Sequence, residues 1–125
     1  MKIKTSELIG PALNWAVAKC GGVKVRLSPT GFLTYSDRSV PTGPQGRVYE
    51  PSTAWSQGGP IIEHLRGNSD HQFLIESDGT NVHVLSWPSA HIHFSGYGPT
   101  ILIAAMRSYV ASKLGDEVEV PEGLL

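Results

Sequence analysis

The amino-acid sequence predicts an α+β fold: a small, mainly antiparallel sheet packed against an N-terminal helix and a buried C-terminal helix. Three observations predict it. Apolar residues between Leu8 and Cys20 recur at spacings of three and four, the period of one helix face. Two apolar runs flank Asp78-Gly79, a dipeptide that favours the tight turn of an antiparallel hairpin. The segment 99–114 is apolar around most of its circumference, as a helix inside a core must be.

In chain order, Thr5-Ser6-Glu7 offers hydroxyls that can cap a helix start. Pro11 is tolerated only near a first turn, so the regular helix is expected over 10–19, stopped by Gly21-Gly22. Val23-Lys24-Val25-Arg26-Leu27 alternates like a strand with one wet face, and Gly31 to Tyr35 reads as a second strand. Residues 36–48, with Pro41, Gly43, Pro44 and Gly46, read as a long surface loop. Pro60 suits the first position of a short helix through Leu65. Gln72 to Glu76 and Asn81 to Leu85 form the hairpin, and His91 to Phe94 one further short strand. Gly98-Pro99-Thr100 opens the last helix, closed by Lys113 and Gly115. Residues 116–125 form an acidic tail.

The 125 residues fit a single domain, 1–125, large enough to bury a core without covalent staples. The net charge is −1 and the ten Lys and Arg are scattered, which argues against a nucleic-acid polymer as partner. Cys20 is the only cysteine, so an intrachain disulfide and a multi-cysteine zinc site are excluded. The first residues lack the apolar run of a secretory signal and no stretch of 18 apolar residues occurs, so no membrane association is expected and the cytoplasm is the expected location.

The most distinctive local features are two glycine-proline segments, Gln57-Gly58-Gly59-Pro60 and Ser95-Gly96-Tyr97-Gly98-Pro99-Thr100. If each opens a helix, its bare amides and positive dipole end suit a small anion, which glycine lets approach closely. Trp55 or Tyr97 would stack on a base. Gly58, Gly59, Gly98 and Thr100 would present amides and a hydroxyl to phosphate, and Gln57 and Arg107 would add polar contacts. The same segments serve as ordinary helix-start punctuation, with Trp55 in the core. His91 and His93 share a strand face and could begin a metal site, but no spacing supplies a third ligand, so no metal or cofactor is expected. No Walker loop, nucleophile elbow, zincin helix or dinucleotide fingerprint occurs. The expectation is a binding protein rather than an enzyme.

Several segments resemble the phage NinX-like family. They are Met1 to Leu8, Leu13-Asn14-Trp15-Ala16-Val17-Ala18, Trp55-Ser56-Gln57-Gly58-Gly59-Pro60-Ile61-Ile62, Gly98-Pro99-Thr100, Ala104 to Arg107 and Tyr109 to Val118. The resemblance implies a small accessory protein of tailed phages or prophages, acting in the host cytoplasm. Unrelated phage proteins of this size sequester cyclic nucleotide or cyclic ADP-ribose signals of host defence. By that analogy of context, the first expectation is a homo-oligomer that binds a small phosphorylated, nucleotide-type ligand without cleaving it. The alternatives are a protein–protein interaction module with no small ligand, and a small nucleotide hydrolase using His91 or His93.

Overall fold

The computed structural model describes residues 1–28, 31–36, 48–66, 72–89 and 92–124. Most of the expected loop 36–48 and His91 lie outside them. The elements are β1 (Lys2–Lys4), a 3-10 turn (Thr5–Glu7), α1 (Gly10–Gly21), β2 (Val25–Leu27), β3 (Leu33–Tyr35), α2 (Trp55–Arg66), β4 (Gln72–Ser77), β5 (Val82–Ser89), β6 (Ile92–Gly98), α3 (Ile101–Leu114), β7 (Glu117–Glu119) and a second 3-10 turn (Glu122–Leu124). The α+β class holds. Among the described residues the strands form three antiparallel sheets rather than one: β1 with β7, β2 with β3, and β4-β5-β6.

The N-terminal helix starts with Pro11 in its first turn and stops at Gly22, whose φ of 69° places it in the left-handed region that favours glycine. Its face of Ala12, Leu13, Ala16 and Val17 is buried against a core shared with Val84, Met106 and Val110. Cys20 is half-buried beside this core, and desolvation pushes its thiol up to about 11, so it is a poor nucleophile at neutral pH.

The hairpin forms as the sequence indicates. The Asp78 carboxylate accepts from the amides of Thr80 and Asn81 at 2.9 and 2.7 Å and from the Thr80 hydroxyl at 2.9 Å. These bonds stabilise its charged form and hold its pKa below the ordinary value. Successive side chains of β5 and β6 alternate in exposure. Val82, Val84, Ser86, Gly96 and Gly98 are buried. His83, Leu85, Ser95 and Tyr97 stand on the opposite face, where the His83 and Tyr97 rings stack at 4.0 Å.

Helix α3 is the centre of the molecule. It packs most extensively on β6 and also meets β5, α1 and α2. Leu102 to Met106 and Ser108 to Val110 are buried. The approach to β6 is so close that a Cβ built on Gly96 would lie 2.1 Å from the Ala104 carbonyl oxygen and 2.6 Å from the Ser108 nitrogen. Glycine at 96 is therefore a packing requirement.

Three expectations need correction. Helix α2 begins at Trp55, and Pro60 lies inside it rather than at its first position. Ser95 to Gly98 is the end of a strand, and α3 starts at Ile101 with Thr100 as its cap. The strands expected over 23–27 and 31–35 shorten to three residues each. Within the acidic tail, β7 pairs with β1, and Val118 and Val120 are buried.

Candidate functional site

The segment ahead of α2 explains why this helix starts five residues before Pro60. Asn14 of α1 is buried, and its Oδ1 accepts from the Ser52 amide at 3.0 Å and the Ser52 hydroxyl at 2.7 Å. Glu50 closes a turn, its carbonyl accepting from the amides of Thr53 and Ala54. Gln57 clamps the incoming chain: its Oε1 accepts from the Glu50 amide at 2.6 Å and its Nε2 donates to the Val48 carbonyl at 2.7 Å. With the turn anchored, the amides of Gln57 and Gly58 both bond the Ala54 carbonyl and the helix is nucleated there.

This arrangement redistributes the residues expected to hold a ligand. Gln57 spends both ends of its amide on the backbone. The Gly58 amide is inside the helix, and a Cβ on Gly58 would meet the Pro51 carbonyl oxygen at 2.3 Å and Leu102 at 2.6 Å. Gly59 is likewise within α2. Gly98 lies in β6 beneath α3, where a Cβ would stand 2.8 Å from Ile103. Gly58 and Gly98 let α2 and β6 approach α3. The expectation of an opening at Gly58-Gly59-Pro60 is overturned by the tertiary anchoring of residues 48–54.

Two helix starts nevertheless converge. Ser52, Thr53 and Trp55 at the head of α2, and Thr100, Ile101, Leu102 and Ile103 at the head of α3, line one groove of about 380 Å³. Trp55 is 57% exposed at its edge. First-turn amides have no carbonyl partner within their own helix, and both helix dipoles present their positive ends here. Thr100 serves one of these amides itself, its hydroxyl accepting from Ile103 at 3.1 Å. Replacing Thr100 with alanine is expected to cost about 1 kcal/mol in a urea unfolding experiment; an unchanged midpoint would show that the cap contributes nothing.

Tyr97 and Arg107 are in a different place. They line a second depression of about 340 Å³ with Lys4, Ser6, Ser95 and Asp116. Arg107 is half-buried, donating from Nε to the Leu8 carbonyl at 2.9 Å and from Nη1 to the Tyr97 carbonyl at 2.7 Å. It ties the entry to α1 onto the end of β6, and burial lowers its pKa. The eight expected residues thus divide into Trp55 and Thr100 in one groove, Tyr97 and Arg107 in another, and Gln57, Gly58, Gly59 and Gly98 in the framework.

Thr53 and Ile101 line the first groove without having been singled out in the sequence. Thr53 carried a usable signal, a hydroxyl two residues before the helix start, but Pro60 is the stronger local mark and drew the boundary to itself. His93 is exposed on β6. Among the described residues, no three His, Cys, Asp or Glu side chains cluster in a way that could hold a metal ion. No helix among them is long and apolar enough to cross a membrane.

The model of the family described as "Bacteriophage P22, NinX" matches residues 4–113, most of the chain. No curated protein matches significantly.

Proposed function

This chain belongs to the bacteriophage P22 NinX family, and from that membership and the groove at the two helix starts we propose that it is a phage accessory protein that sequesters a small anionic, nucleotide-type ligand. The observation that carries the reading is the convergence of the first turns of α2 and α3 on one groove beside the exposed Trp55. Paired helix N-termini favour a phosphate by the positive ends of their dipoles. An indole at the edge offers a stacking surface for a base. Ile101, Leu102 and Ile103 add apolar wall beside the hydroxyls of Ser52, Thr53 and Thr100, which suits a pocket that makes few polar contacts. Neither role requires turnover, and the ligand would be held rather than cleaved.

The test is calorimetry against a panel of cyclic dinucleotides and cyclic ADP-ribose isomers. At least one member is expected to bind stoichiometrically, and a Trp55→Ala variant of unchanged stability is expected to bind it about tenfold or more weakly, since one base–aromatic stack is worth about 1–3 kcal/mol. Silence across the panel, or full affinity in Trp55→Ala, overturns the reading. The exposed indole over apolar walls equally fits a side chain of a protein partner. A silent panel together with a stoichiometric complex lost in Trp55→Ala would establish that alternative.

A further inference from the structure

The three-stranded sheet has two outer strands, β4 and β6, and they are finished differently. On β6, the Tyr97 carbonyl is taken by Arg107 at 2.7 Å. That bond occupies an acceptor that another strand would need. Among the described residues, strand β4 pairs on one side only, with β5, in unbroken register from Gln72 to Ser77. Its sequence, Gln72-Phe73-Leu74-Ile75-Glu76-Ser77, has no proline, no lysine and no glycine. Leu74 and Ile75, on opposite faces of the strand, are 39% and 40% exposed. A regular six-residue edge with apolar side chains on both faces and a single charge near its end is a template for another strand.

We propose that the occupant of this edge is β4 of a second copy, paired antiparallel about a two-fold axis near Leu74, so that two three-stranded sheets join into one of six. The placement of charge selects this arrangement. Glu76 is the only charged residue of β4 and lies near its end. Antiparallel self-pairing about Leu74 separates the two Glu76 positions by four residues, about 14 Å at about 3.4 Å per residue. That exceeds the screening length of about 8 Å at physiological salt. Parallel self-pairing would set them side by side, where like charges repel. A two-fold interface also lets each Leu74 meet its own counterpart, the self-complementarity an isologous dimer needs. The inference goes beyond the ligand reading and stands without it, because β4 contributes nothing to the groove between α2 and α3.

The experiment is sedimentation equilibrium over a concentration series, with hydrogen exchange read at β4. The wild-type chain is expected to approach twice the 13.5 kDa mass of one copy. The β4 amides are expected to exchange more slowly as concentration rises. Leu74→Lys places two like charges together at the axis and is expected to weaken association about tenfold or more. Ile75→Lys is a second, independent disruption, and circular dichroism verifies that each variant is folded. A wild-type monomer at the highest soluble concentration, a dimer undisturbed by both folded variants, or β4 exchange independent of concentration overturns the proposal. Should both variants unfold, the wild-type exchange series alone decides.

Discussion

Replacing Gly96 with alanine is expected to destabilise the protein by about 3 kcal/mol, the upper end of ordinary overpacking costs. The new methyl group would meet the carbonyl oxygen of Ala104 at 2.1 Å and the amide nitrogen of Ser108 at 2.6 Å. Both are backbone atoms of α3, so no rotamer change can yield the space; the helix as a whole must move off β6. That movement would open the most extensive helix–strand contact in the molecule, around Val84, Ala104 and Met106, none of which is exposed to solvent. Gly59→Ala is the matched control. Its nearest neighbour would be the Trp55 ring at 4.0 Å, an ordinary contact, and alanine is the better helix former by about 1 kcal/mol. In urea unfolding, Gly59→Ala is expected to hold or raise the midpoint while Gly96→Ala lowers it sharply. Equal midpoints would show that α3 is not held against β6 as tightly as described.

The second large effect is expected at Asn14. Asn14→Leu removes the acceptor of two donors on Ser52, in a place where the two residues are 6% and 1% exposed. Orphaned buried donors cost about 1–3 kcal/mol each, so a loss of about 3 kcal/mol is expected. The double variant Asn14→Leu/Ser52→Ala removes the hydroxyl donor as well and is expected to recover part of that loss, leaving only the Ser52 amide unserved. Strict additivity of the two single changes would refute the buried bond. The consequence reaches the groove, because Ser52 fixes the turn that starts α2 and lines the groove beside Trp55. Ligand affinity is therefore expected to fall in Asn14→Leu although Asn14 does not line the groove.

The groove and the fold were legible to different depths. The apolar period of α1, the Asp78-Gly79 hairpin and the nearly all-apolar α3 each carry a local signal that tertiary contacts reinforce, so these elements lie within a few residues of expectation. The start of α2 was not legible, because Pro60 is a strong local mark while the true determinants are long-range. They are an asparagine 38 residues before Ser52 and a glutamine that reaches back to Val48 and Glu50. Glycines 58, 96 and 98 illustrate the same limit. In sequence, a glycine beside a proline reads as a turn or an anion cradle; here each serves the closeness of another element.

By itself the sequence determined the α+β class, the helical and hairpin periodicities, the single cysteine, the scattered charge and the NinX family. All of these reside in composition, in short-range spacing or in residues read one after another. Only the tertiary structure decided that two helix starts share a groove, that Tyr97 and Arg107 stand apart from Trp55, and that β4, among the described residues, pairs on one side only. The reason is physical: spacing along a chain fixes which face of an element is apolar, whereas the distance between elements is fixed by how closely backbones can pack. In this protein that distance is set by missing side chains at Gly58, Gly96 and Gly98.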